Sequence, residues 1–202
     1  MPETTSPSVE IAGVLRAHAS LLATIDGLTD AIARQPSLLP GWTVGHVLTH
    51  VARNADSVVR RLEGAVAGQV VDQYQGGAEG RQQGIEAGAG RPAGELLADV
   101  VRTSAAVERA VEGFPPRAWG RLTRSVGGDE VPASAVLFSR WREVEVHHVD
   151  LGLGYLPRDW PADLVERWLP QAREQFLPSA DERDLLAWLV GRGPAPTLKS
   201  WG

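Results

Sequence analysis

The sequence predicts an all-α protein built on a four-helix bundle. Three observations carry that expectation. Four long stretches repeat apolar residues at helical spacing. Proline and glycine punctuate the chain between them. Alternating, strand-like runs are scarce. A bundle is the ordinary way for four such stripes to share one core, and bundle interiors commonly carry metal sites built from facing helices.

The elements follow in order. Residues 1–7 are expected to be disordered. Ser8 is placed to cap the first helix, with Glu10 in its first turn. Ile11, Val14, Leu15, Leu21, Leu22, Ile25 and Leu28 carry that helix onward to residue 28. Thr29-Asp30 reads as a local cap before a short helical turn over 31–34, and Pro36 and Pro40-Gly41 break the chain. Thr43 is the next N-cap. Val44, Val47, Leu48, Val51, Ala55, Val58, Val59 and Leu62 form the second stripe, ending near Gly64. Residues 67–91 are rich in Gly and Gln and read as a long loop, with a short helix over 80–87. Pro92 opens the third long helix through Leu96, Leu97, Val100, Val101, Val107 and Val111, which stops at Gly113-Phe114-Pro115-Pro116. Residues 117–131 are irregular, with an extended piece over Arg121–Val126. Pro132 opens the fourth long helix, which runs to Leu151 and ends at Gly152. Two shorter helices over 162–176 and 181–190 precede a Gly/Pro-rich tail. The expected division is a disordered 1–7, a bundle over 8–155 and a short, mostly helical C-terminal module over 156–202.

Composition narrows the function. The 202 residues suit one domain with a small appendage, and 43% hydrophobic with 22% charged residues is ordinary for a globular chain. A net charge of −5 argues against nonspecific nucleic-acid binding, which needs a basic footprint. No apolar run reaches the roughly 20 residues that span a bilayer. The start, Met1 to Pro7, has neither a basic n-region nor an apolar h-region. A cytoplasmic protein with no membrane partner is expected. There is no cysteine. Disulfides, thiolate-bound zinc and a protein thiol nucleophile are therefore excluded. Any metal must be held by His, Asp, Glu, backbone or water, and any thiol chemistry needs a thiol brought from outside.

The chain has five histidines. His18 lies on the first apolar stripe and reads as a hydrogen-bonded core histidine. His46 and His50 are four apart, with Asn54 one turn on, in a row that borders the second stripe. In the fourth helix, Arg140, Glu143, His147 and Asp150 share one face, and Trp141, Val144, His148 and Leu151 share another. Glu143 and His147, four apart, can converge on one divalent ion. The same face could equally be solvated, and Glu145 with His148 forms a competing pair three apart. Spacing alone leaves these alternatives open. If the metal reading holds, the two histidine-bearing helices meet over the ion.

The run from Leu39-Pro40-Gly41-Trp42-Thr43 through Ala55-Asp56 resembles the N-terminal signature of the mycothiol-dependent maleylpyruvate isomerase family, within the DinB/YfiT-like metalloenzymes. Arg140 to Leu151 is similar to that family's second signature, a Glu-x-x-x-His followed by Asp-Leu. Leu185 to Arg192 resembles a third, C-terminal one. The order and spacing fit across nearly the whole chain.

The resemblance implies a DinB-like four-helix bundle around one divalent metal, usually zinc, with two His and one Glu as ligands. By position these are His50, Glu143 and His147, which resolves the competing pairs. His46 falls at a family position that is often not histidine, so it reads as support behind the ligands or as structural. Asn54 and Asp150, each a turn beyond a ligand, would either orient one by a hydrogen bond or lie on the helix surface. The resemblance further implies mycothiol as thiol cosubstrate and isomerisation of maleylpyruvate to fumarylpyruvate. That substrate is a dianion. Arg140 and Arg192 are the candidate catalytic cations, and Arg81 in the long segment is a further cation for the cofactor-binding pocket. One departure stands out: isomerase members carry a larger C-terminal α/β domain, and here the stretch from Phe176 to Arg192 is too short for its strands. That leaves an alternative, a thiol S-transferase conjugating a small electrophile, and a second, a non-catalytic bundle that binds metal or a partner.

Overall fold

In the computed structural model, which describes residues 6–198, the four apolar stripes become four long helices: α1 (Ser8–Ile25), α3 (Val44–Ala67), α5 (Ala93–Glu112) and α6 (Ala133–Asp150). A single turn, α2 (Asp30–Ala33), and α4 (Gly77–Ala89) lie between them. A two-stranded antiparallel hairpin, β1 (Leu122–Arg124) with β2 (Glu130–Pro132), leads into α6, with Thr123 opposite Val131. The helix α3 is the hub. It packs on α5, α4 and α6, while α1 packs on α6 and α5. The chain divides between Pro157 and Arg158 into two units.

Local chemistry sets the helix starts. The Thr43 hydroxyl accepts from the His46 amide, and the Thr43 amide donates back to His46 Nδ1 at 3.1 Å, closing a reciprocal cap. Thr29 caps α2 through the Ile32 amide. Asp30 instead accepts from the Ala93 amide at 2.7 Å, holding the start of α5 from another part of the chain. The expectation for Ser8 needs correction. Pro7 occupies the N-cap position, and no side chain caps α1. Ser6 and Pro7 lead directly into that helix, and residues 1–5 lie outside the described residues.

The expected long loop is mostly α4, longer than the short helix anticipated over 80–87. Gly88 of α4 and the facing Gly45 of α3 act as contact surfaces, not breakers. A methyl added at Gly45 would come within 2.3 Å of the Ala89 carbonyl oxygen, and one at Gly88 within 2.5 Å of Thr49 Cγ2. Small residues at both positions let α4 lie directly on the first turns of α3. Next to it, α3 runs one turn past Gly64 and ends at Gly68 in the left-handed region, φ 75°.

The helix α6 is covered on nearly every side. Between Trp141 and Asp150 no residue is exposed. The solvated polar face is therefore ruled out, because Arg140 and His147 are both buried, at 1% and 7% exposure. The Arg140 guanidinium donates to the Val51 carbonyl (2.8 Å), Asn54 Oδ1 (2.9 Å) and His18 Nε2 (3.2 Å). His18 thus accepts at Nε2, and its Nδ1 faces Glu108 at 3.1 Å. Burial, and then the Arg140 charge, hold His18 well below the usual histidine range. It is the hydrogen-bonded core histidine expected.

A second buried charge organises α3 and α5. Asp99 accepts from Arg53 (2.8 Å), Arg91 (2.6 Å) and Arg102 (2.5 Å). Burial pushes its carboxyl up, but the bonds from Arg91 and Arg102 and the nearby charges of Arg53 and Arg91 more than offset this, and it lies below the usual carboxylate range. A depressed pKa contributes stability that is fully present above the unfolded value of about 3.9 and is lost as pH falls through the folded value. Asp99→Asn is thus expected to lower Tm at neutral pH. The gap between variant and parent should close below pH ~4. Thermal melts across pH check this, and a gap constant down to acid would contradict it.

Among the described helices, α1 is long and apolar enough, by composition, to be weighed as a membrane span. Here it is a core helix: Val14, Ala17, His18, Leu21 and Ile25 form a buried stripe. The second unit carries α7 (Ala162–Phe176), with Pro170 inside it, and α8 (Glu182–Leu189). Asp181 caps α8 by accepting from the amides of Arg183 and Asp184. Its described residues form helices and turns with no strand.

Candidate metal centre

The stripe of α3 that faces α6 carries His50, and the facing turns of α6 carry Glu143 and His147. Their donor atoms converge. His50 Nε2 lies 2.7 Å from Glu143 Oε1 and 3.0 Å from His147 Nε2, and His147 Nε2 lies 3.6 Å from Glu143 Oε1. Both rings are buried and Glu143 is 14% exposed. These three form the one group of this kind among the described residues.

A divalent ion fits this set. Ligand atoms around a tetrahedral zinc at about 2.0–2.2 Å stand roughly 3.3–3.5 Å from each other, and the three separations bracket that spacing. Two imidazoles and a carboxylate also match zinc chemistry and leave a fourth position open.

The protons show how charged the cluster is. Burial pulls His50 down to about 4 despite its contact with Glu143. Burial would also lower His147, but bonds to Asp150 and Glu143 outweigh it and push the ring up to about 9. Burial would raise Glu143, but its bonds to His147 and His50 hold it well below the usual range. Two carboxylates thus flank one imidazolium, and a metal ion would replace that positive charge.

Each expected site residue has a definite place. Asp150 Oδ2 is 2.8 Å from His147 Nδ1, so it fixes that ring from behind. His50 has no such support. Its Nδ1 is sealed without a partner, and the ring is placed by packing edge-on to Trp42, centroids 5.7 Å apart. His46 does not reach the cluster. Its Nδ1 closes the α3 cap, its Nε2 lies 3.6 Å from Glu86, and Trp42 stacks on its ring. Asn54 supports Arg140 and contacts the Tyr74 hydroxyl at 3.5 Å; it does not hold a ligand. Arg140 is committed to the core by the three bonds described above, so it is a bundle strut and not a substrate-side cation. Arg81 does arrive at the cluster, with Nη2 3.4 Å from His50 Nε2. Arg192 is exposed in the second unit and bonds to the carbonyls of Val190 and Gly191. The competing pair is turned elsewhere: Glu145 accepts from the Tyr155 hydroxyl, and His148 stacks on Tyr155 and bonds Thr24.

Tyr74, which Asn54 contacts, and Arg61, buried on α3, were not among the expected site residues. Tyr74 lies in a segment read as loop. Arg61 continues the His50–Asn54 row at helical spacing, and that row was the signal that could have found it.

Asp150→Asn leaves the size of the side chain but removes the charge behind His147. It is expected to weaken metal affinity about 10–100-fold. Competition against a chromophoric chelator reads this directly, and affinity within threefold of the parent would contradict it.

A helical bundle with a His/Glu/His cluster between two of its helices defines a DinB-like protein with a candidate metal centre. The chain belongs to the family described as mycothiol maleylpyruvate isomerase N-terminal domain, whose model matches residues 14–152. It is similar to the crystal structure of the mycothiol-dependent maleylpyruvate isomerase, with 25% identity over 83% of this chain and 73% of that one and a TM-score of 0.76. A histidine-to-alanine mutant of the enzyme of that name aligns at 24% identity, with the same coverage and TM-score, and shows the shared fold. No curated protein matched significantly.

Proposed function

We propose that this protein is a metal- and mycothiol-dependent isomerase that converts maleylpyruvate to fumarylpyruvate. The observation that carries the reading is the meeting of His50, Glu143 and His147 inside a chain of this family. A zinc ion there would supply a Lewis-acidic open position at which a bound thiol loses its proton, the nucleophile a cysteine-free chain lacks. The residues do the rest. His50 and His147 present Nε2 to that position, Glu143 contributes the anionic donor, and Asp150 holds His147 in register. Arg81, beside the cluster, places a cation where an anionic substrate would arrive. Addition of that thiolate to the cis double bond, rotation about the resulting single bond and elimination of the thiol would give the trans acid. Arg192 is retained as a candidate partner for a substrate carboxylate on the family signature alone.

The test is loss of maleylpyruvate with zinc-loaded protein, with and without mycothiol. Thiol-dependent conversion supports the reading. Silence, with conjugate formed from a model electrophile, would replace it with a thiol S-transferase. That second reading draws on the second unit, whose described residues carry no strand. No turnover in either assay, despite bound metal, would leave a binding protein.

A further inference from the structure

The cluster adjoins a cleft whose charges are not balanced within the fold. The cleft lies between α3 and the chain from Gln73 to Gly84 and has a volume of about 280 Å³. Ser57 and Tyr74 form its inner surface, and Arg53, Asp56, Arg60 and Arg81 stand around it. Arg53 is already spent on Asp99 and Asp56. Among the described residues Arg81 touches no carboxylate; its Nη2 lies 3.4 Å from His50 Nε2. Arg60 is exposed and makes no hydrogen bond or ion pair among the described residues.

Beneath this surface the imbalance deepens. Arg61, one turn past Ser57 on the same face of α3, is only 3% exposed. Its Nε is sealed without a hydrogen-bond partner, as is Nη2 of Arg140. Glu143 is a carboxylate whose field reaches both guanidiniums, and it is already engaged by His50 and His147. Buried charges in proteins are ordinarily paired. A sealed Arg61 with no ion pair among the described residues, behind a cleft edged by Arg60 and Arg81, makes a place that lacks an anion.

We propose that this cleft is the anion subsite of the protein: Arg60 and Arg81 grip the substrate carboxylate remote from the reacting double bond, with the Tyr74 hydroxyl at its floor. The inference rests on the function proposed above and deepens it. Arg81 spans the two regions, since it lines the cleft and touches His50. A dicarboxylate can therefore lie with one end in the cleft and its double bond towards the cluster. A neutral glycoside, such as the sugar part of a thiol cosubstrate, would leave the cationic excess uncompensated.

Titration calorimetry of the full chain without thiol tests this, using maleate, its neutral dimethyl ester and N-acetylglucosamine as probes. The titrations are run with zinc and again after chelator treatment. Maleate is expected to bind in both states and the ester is not. Arg60→Gln and Arg81→Gln, both on accessible side chains, are each expected to weaken maleate binding about tenfold or more. Maleate affinity unchanged in both variants would overturn the subsite, as would no maleate binding by the parent. Binding of N-acetylglucosamine that is lost in the variants would overturn it in favour of a sugar pocket. The isomerase assay is read separately. Maleate binding that depends on Arg60 and Arg81, together with silent turnover, would keep the subsite and remove the proposed reaction.

Discussion

His50→Ala is expected to bring the metal content of the purified protein from near stoichiometric to background and to abolish thiol-dependent turnover. In the proposed centre His50 is the donor that α3 would contribute; without it, α6 alone offers Glu143 and His147, one turn apart. Losing a group that merely supports a ligand costs about 10–100-fold in affinity, so losing a ligand should cost at least the upper end of that range. Elemental analysis of protein dialysed against excess zinc reads the outcome. Stoichiometric metal that survives His50→Ala, Glu143→Ala and His147→Ala combined would remove the site altogether.

Trp141→Ala is expected to be the most damaging single change to stability. The indole is fully buried on α6 and lies against Gly13 of α1, where an added methyl would sit 2.3 Å from the ring. The Arg16 guanidinium stacks over it at 5.6 Å, Phe138 meets it edge-on, and its Nε1 donates to Glu145. Removing the ring leaves a cavity that the backbone contact at Gly13 cannot close. Truncations of this kind cost about 3–5 kcal/mol, or roughly 6–20 °C in Tm for a chain of this size. A melt within two degrees of the parent would contradict the close packing of α1 on α6.

The four long helices were legible because each repeats its apolar residues over many turns, the strongest signal a single sequence carries. The Gly/Gln segment was not. Glycine breaks a helix in isolation, but at Gly88 it is required by the close Thr49 side chain, and at the facing Gly45 of α3 by the Ala89 carbonyl, which no local pattern announces. The site was half legible. Spacing offered Glu143 with His147 and, no less, Glu145 with His148. The choice came from family resemblance, and the reason for it is three-dimensional: α3 brings His50 to the first pair from 97 residues away, while Tyr155 and Thr24 take the second. Arg140 shows the converse failure. A cation on the ligand face reads as a substrate contact only if that face is open. Periodicity gives the direction of a side chain and not what covers it, and here Val51, Asn54 and His18 do.

The way α4 is held has a kinetic consequence. Among its residues only Ile85, Gly88 and Ala89 are buried, so detaching it from α3 surrenders little apolar contact. By contrast, α3 and α6 are anchored along their whole lengths. The amides of Gly77–Ala89 should therefore exchange with solvent well before those of α3 or α6, which hydrogen-exchange mass spectrometry would resolve. Because Arg81 rides on α4, the cation beside His50 belongs to the least securely fastened helix of the bundle. Ligand residence there would then follow the opening rate of one weakly anchored helix, and substitutions at Gly45 or Gly88 would alter off-rates without touching a ligand-binding side chain.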